Sequence, residues 1–137
     1  IHPVAIADKA LPIEKARSPG VKHRHYAPNA DMIIVEGEST AVANKVNELA
    51  DYYMQGNKKV GILATDETKY QYDADVVKSL GSRNDLAVVA KNLFKLLREF
   101  DSEKVDVIIA EGGPTEKLGL AVINRLRKAS GYNVIKV

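Results

Sequence analysis

Short apolar runs with no polar alternation constrain this chain more than any other feature. Met32-Ile33-Ile34-Val35 and Val60-Gly61-Ile62-Leu63-Ala64 are the clearest, and Val105 to Ala110 and Val134-Ile135-Lys136-Val137 resemble them. A strand with one wet face alternates apolar and polar residues, so runs like these predict strands covered on both sides. Val76-Val77-Lys78-Ser79-Leu80 reads as one more strand between the second and the fourth. Helical periodicity fills the gaps. Val42, Val46, Leu49, Ala50 and Tyr53 form one apolar stripe, with Ser39 the expected N-cap and Gly56 the stop. Leu86, Val89, Ala90, Leu93, Phe94, Leu97 and Phe100 form a second. Pro114-Thr115 opens a last helix carrying Leu118, Ala121, Val122, Arg125 and Leu126, which Gly131 ends. Thr65 to Asp73 is polar and leaves room for one helical turn at most. Strands alternating with helices through short turns predict an α/β, Rossmann-like, three-layer domain. It has about five mostly parallel strands with helices on both faces, in the expected order 3-2-1-4-5.

The periodic pattern begins at Asp31, so residues 31–137 are read as the folded domain and residues 1–30 as a linker segment. Ile1-His2-Pro3 does not look like a natural start, and the chain reads as a piece of something longer. A content of 45% apolar and 28% charged residues is ordinary for a globular domain, and a net charge of +2 does not argue for nucleic acid. Without cysteine there is no disulfide framework and no thiolate chemistry. No apolar run approaches the roughly 20 residues of a membrane helix, so no membrane partner is expected.

The linker carries the strongest local charge. Arg17, Lys22 and Arg24 accompany His23 and His25, and no acid occurs between Glu14 and Asp31. Pro19, Gly20 and Pro28 break regular structure. Such a segment is either a solvated linker or an arm lying over an anion held by something else. Elsewhere, ligands of an open parallel sheet gather beyond the carboxyl ends of its strands. Those ends carry Gly37-Glu38-Ser39-Thr40, Thr65-Asp66-Glu67-Thr68, Gly81-Ser82-Arg83-Asn84 and Glu111-Gly112-Gly113-Pro114-Thr115. No dinucleotide or phosphate-loop fingerprint is present, and Glu36 and Glu38 would repel a phosphate, so turns and caps are the better reading. His23 and His25 lack a third ligand nearby, and no serine sits in a nucleophile elbow, so no metal and no catalytic residue is assigned.

Ser18-Pro19-Gly20-x-Lys22-x-Arg24-His25-Tyr26-Ala27-Pro28 resembles the interdomain linker of two-domain threonylcarbamoyl-AMP synthases. Leu63-Ala64-Thr65, Ser79-Leu80-Gly81-Ser82-Arg83, Ala90-Lys91-Asn92-Leu93-Phe94 and Gly119 to Arg127 resemble that family's C-terminal domain in the same order. The resemblance implies a parent enzyme that makes threonylcarbamoyl-AMP and pyrophosphate from L-threonine, bicarbonate and ATP. Magnesium accompanies the ATP, and a tRNA-threonylcarbamoyl transferase accepts the adenylate for tRNA modification in the cytoplasm. It also implies a catalytic, YrdC-like N-terminal domain that precedes this segment, with relatives associated with double-stranded RNA binding. That domain holds the family's Lys-x-Arg and Ser-x-Asn pairs. Lys22-His23-Arg24 and Ser82-Arg83-Asn84 match those pairs on letters alone, and this piece by itself is expected to be inactive. By the same resemblance Lys22, Arg24, His25 and Tyr26 belong to a lid over ATP and the adenylate, with Ser18, Pro19 and Gly20 its turn. Two other classes stay open. One is a free-standing nucleotide-binding module. The other is an RNA- or protein-docking domain using Lys91, Lys95 and Arg98 on one helix or Arg125, Arg127 and Lys128 on another.

Overall fold

The computed structural model describes residues 27–137. The elements run β1 (Asp31–Glu36), α1 (Ser39–Gln55), β2 (Val60–Ala64), a 3₁₀ turn (Lys69–Gln71), β3 (Val76–Ser79) and α2 (Leu86–Ser102). β4 (Val107–Gly113), α3 (Thr115–Leu118), α4 (Leu120–Ala129) and β5 (Val134–Lys136) complete them. All the strand pairs are parallel. Successive residues of a strand point to opposite faces, and this splits the core in two. Met32, Ile34, Leu63, Ile108 and Ala110 face α2 and α4. Ile33, Val35, Ile62, Ala64, Val107 and Ile109 face α1. The three-layer α/β architecture expected from the apolar runs is the one observed.

The strand order corrects the expectation. It is β3-β2-β4-β1-β5, so β4 and β1 exchange the places given to them by the order 3-2-1-4-5. Burial fixes the edge strands in either order and does not by itself choose between β1 and β4 for the centre. All seven residues of β4 are buried, as are all but the first of β1, whereas β3 is half-buried throughout and β5 exposes Lys136. The weaker strands take the edges, and β4 lies between β2 and β1. The 17 residues of α1 span about 25 Å, enough to carry the chain from β1 past one strand to β2.

Three local differences follow from backbone demands. Glu38, not Ser39, caps α1, its carboxylate accepting from the N–H groups of Thr40 and Ala41 at 3.0 and 3.1 Å. The last helix is two helices, broken at Gly119, where φ is 83° and ψ 150°. A side chain there would be strained, so glycine permits the break. The fourth strand runs on through Glu111-Gly112-Gly113, which the sequence pattern placed in a loop.

Gly61 is needed for close packing. A Cβ at this position would stand 2.5 and 2.6 Å from Cε1 and Cδ1 of Phe100, a fully buried ring. Gly61→Ala is therefore expected to destabilise the domain by about 1–3 kcal/mol. Pairing it with Phe100→Leu should cost less than the sum of the two single changes. Urea unfolding of the three variants measures both effects.

Candidate functional site

With both faces of the sheet covered, the polar groups of this domain collect at the strand ends. At the carboxyl end, two adjacent strands each bury a carboxylate. Glu111 on β4 is 3% exposed. It accepts from Thr68 Oγ1 at 2.6 Å, from the Tyr72 hydroxyl, and from Arg83 Nη2 at 3.2 Å. Burial, reinforced by the negative charge of Glu111, holds the Tyr72 phenol well above its usual range. Glu36 on β1 is 6% exposed and is gripped by both arms of Arg127 from α4, Nε and Nη2 each donating at 2.8 Å. That hydrogen bonding raises the pKa of Arg127 further. An open cavity of about 230 Å³ adjoins this pair, lined among others by Gly113, Thr115 and Lys136.

The surrounding loops are tied together by their own acids. Glu67 accepts from Ser82 Oγ at 2.6 Å and from the Arg83 N–H at 2.9 Å, which holds its carboxyl below the usual range. Asp66 accepts from Ser79 Oγ at 2.6 Å. Ser82 and the Asn84 N–H are thus spent on the turn before α2, where Ser82 Oγ also accepts from that N–H at 3.0 Å. Ser82 Oγ, the Arg83 N–H, Arg83 Nη2 and both arms of Arg127 already serve carboxylates, while Arg83 Nε is buried without a partner among the described residues. Glu36, read from the sequence as a repelling charge, is neutralised by Arg127. For the same reason Arg127 is not part of a free basic row with Arg125 and Lys128. Lys91, Lys95 and Arg98 lie exposed on α2. Among the described residues no three His, Cys, Asp or Glu side chains converge as a metal site. No helix among them is long and apolar enough to cross a membrane.

The amino end holds the point where the linker enters. Pro28 and Ala30 are buried, Ala30 within the core that includes α2. Between them the Asn29 N–H donates to both oxygens of Asp101, at 3.0 and 3.2 Å. The Asp31 N–H then reaches the Asp106 carbonyl at 3.2 Å and β1 begins. Ser18, Pro19, Gly20, Lys22, Arg24, His25 and Tyr26 lie outside the described residues. Asp101 and the Glu111 cluster are the residues that sequence reasoning missed. An acid closing an apolar run hinted at Glu111, but nothing local marks Tyr72 or Thr68 as its partners, or Asp101 as the partner of Asn29. Tyr53 on α1 is buried, and burial, with Tyr52 and Asp31 adding, pushes its phenol up to about 12.

A family model described as the C-terminal domain of threonylcarbamoyl-AMP synthase matches residues 2–131. The threonylcarbamoyl-AMP synthase of Pyrococcus abyssi is 48% identical over 137 residues, covering 100% of this chain and 38% of that protein. The Bacillus subtilis enzyme is 47% identical over 123 residues, covering 90% of this chain and 34% of that one. The chain therefore spans just over a third of the length of these curated relatives. Among solved structures, P. abyssi Sua5 complexed with L-threonine superposes with a TM-score of 0.71 at 49% identity, over 88% of this chain and 34% of the other. A variant of P. abyssi Sua5 with an adjacent histidine and tyrosine both changed to alanine gives 0.69 at 48% identity, over 80% and 30%. The C-terminal Sua5 domain from Pyrococcus horikoshii gives 0.67 at 46% identity, over 81% of this chain and all of that one.

Two expectations follow from the buried groups. Glu111→Gln removes the charge that Arg83 faces, and should cost about 3 kcal/mol in urea unfolding, in the range for breaking a buried pair. Above pH 10 an unfolded tyrosine loses its proton while Tyr53 keeps its own, so the folded state holds more protons. Stability should then fall as pH rises from 10 towards 12, and Tyr53→Phe should flatten part of that slope when unfolding midpoints are compared across pH.

Proposed function

The chain belongs to the family of threonylcarbamoyl-AMP synthase C-terminal domains, and we propose that it holds the segment from Ser18 to Tyr26 as a lid over a neighbouring catalytic domain. That domain binds ATP, with magnesium on its phosphates, together with L-threonine and bicarbonate, and forms threonylcarbamoyl-AMP with release of pyrophosphate. A partner transferase then consumes the adenylate in tRNA modification. The observation that carries the reading is the position of the cationic segment. An acid-free run of Lys22, Arg24, His25 and Tyr26 leads within a few residues into a foot held at Pro28, Asn29 and Ala30. Charge for an anion is thus joined directly to a fixed point on a folded body.

The residue types suit the task. Arg24 grips phosphate oxygens with two parallel donors, Lys22 adds a point charge, His25 a switchable donor and Tyr26 an aromatic plate. Ser18, Pro19 and Gly20 supply the turn. Two structures of one relative, P. abyssi Sua5, support the assignment. One was solved with L-threonine, and the other carries the histidine-tyrosine substitution. His25-Tyr26 is the one place in this sequence where tyrosine follows histidine. The carboxyl end of the sheet supports it from the other side. Most of the side-chain donors described there serve Glu36, Glu67 and Glu111, in keeping with nucleotide chemistry in the catalytic domain.

In the two-domain protein, Arg24→Ala should lower the yield of threonylcarbamoyl-AMP by about 10- to 100-fold, the worth of a charge-assisted hydrogen bond. His25→Ala and Tyr26→Ala should lower it less. Yields unchanged in all three would set the lid aside. Residues 1–137 alone should release no pyrophosphate from ATP, threonine and bicarbonate.

A further inference from the structure

We propose that the crevice beyond the carboxyl ends of β1, β4 and β5 binds a small oxyanion, a phosphate or carboxylate group, through Lys136, Thr115 and Arg127. Topology opens the crevice. After β1 the chain crosses to β2 over the face covered by α1, and after β4 it crosses to β5 over the face covered by α4. β1 and β4 are neighbours, and adjacent strands whose connections part to opposite faces leave a gap beyond their ends. The cavity of about 230 Å³ beside the Glu36–Arg127 pair lies in that gap, with Gly113, Thr115, Lys136 and Val137 also on its wall. The backbone of β4 is bare there. Gly113 has a φ of 63°, and a Cβ on it would meet no side chain nearer than Arg83 Nη2 at 3.9 Å.

The balance of donors and acceptors decides what the crevice can take. Glu36 and Lys136 are partners in the β1–β5 register, so both side chains leave the sheet on the side of α4. Arg127 holds both oxygens of Glu36, and among the described residues Lys136 forms no ion pair. Two cations therefore stand around one carboxylate, an excess of one positive charge. The Thr115 hydroxyl has no partner among the described residues either, and Arg127 Nη1 has only a long contact to Asn124 Oδ1 at 3.4 Å. On the far side of Gly113, Arg83 gives one arm to Glu111 and keeps a buried Nε without a partner, so acceptors are short on that flank too. Glu38 does not oppose an anion here, because its carboxylate is turned to the N–H groups of Thr40 and Ala41. Surplus donors call for a ligand that only accepts. At about 230 Å³ the crevice is smaller than the roughly 300–1,000 Å³ of sites for larger ligands, which suits a phosphate or a small carboxylate and not a nucleotide.

The test uses the 137-residue chain, which keeps the phosphate sites of a catalytic domain out of the measurement. The P. horikoshii domain, solved by itself, shows that this part of the family folds alone. Inorganic phosphate and malonate are titrated separately, at constant ionic strength, into ¹⁵N-labelled wild type, Lys136→Ala, Thr115→Ala and Lys58→Ala. Saturable shifts of the Gly37, Gly113 and Thr115 amides are expected, and the anion that binds tighter identifies the group. Lys136→Ala should weaken that binding about 10-fold and Thr115→Ala about threefold, while Lys58→Ala, exposed on the turn after α1, should leave it unchanged. Lys136 is exposed and pairs with no described acid, so its variant should keep the wild-type thermal midpoint. Shifts that stay linear in anion concentration would overturn the site. So would an equal loss in Lys58→Ala and Lys136→Ala, which marks an adventitious ion only.

Discussion

A parallel sheet covered by helices on both faces has no wet face, and this constraint governs where every charge in the domain can go. The interior of β1, β2 and β4 is apolar on both sides. Carboxylates appear only where the strands run out, and two of them, Glu36 and Glu111, are still buried there. A buried charge without a partner costs several kcal/mol, so each takes an arginine. Arg127 comes from α4 and Arg83 from the turn before α2. The Arg83 pair, with Thr68 and Tyr72, binds the β2–β3 connection and the turn before α2 to the end of β4, and the Arg127 pair binds α4 to the end of β1. The end of the sheet where such folds usually receive ligands is thereby occupied largely by the domain's own counterions.

Most of the architecture was legible because burial on both faces leaves a direct mark in sequence. Val60 to Ala64 could not be half-wet, and the α2 stripe from Leu86 to Phe100 could only be a helix face. Strand order left no such mark. β1, β2 and β4 are equally apolar, and the buried end of β4, Glu111-Gly112-Gly113, reads locally as a turn. The cap of α1 was misplaced by one residue because Ser39 has the better propensity, while Glu38 has the reach to meet two N–H groups. The Glu111 cluster joins residues about 40 positions apart, and Asp101 meets Asn29 across 72. Partners at that distance are set by topology, which periodicity does not encode. The residues that the resemblance assigns to a lid lie outside the described part of the chain.

The same constraint bears on how the chain is held ahead of β1. A single carboxylate catching one exposed N–H contributes little by itself, since water competes for both groups. At the foot of the linker the bond to Asp101 is accompanied by burial of Pro28 and Ala30, and Ala30 joins the core formed by α2, β1 and β4. Burial of that kind requires a folded body of this size, because a short peptide has no core to enter.

The polarity of the sheet then separates the two ends functionally. The foot precedes β1 and lies at the amino end, whereas Glu36 and Glu111 lie at the carboxyl end. Six residues of β1 put about 20 Å between them. Between the ends stand packed apolar layers with no polar chain of contacts running through them. Coupling across such a distance needs an element with two discrete arrangements, and a sheet fully covered on both sides offers none. Changes in the Glu36–Arg127 or Glu111–Arg83 pairs should therefore reach the amino end of the sheet only through the stability of the whole domain, whereas a change at Asp101 meets the Asn29 N–H ahead of β1 directly.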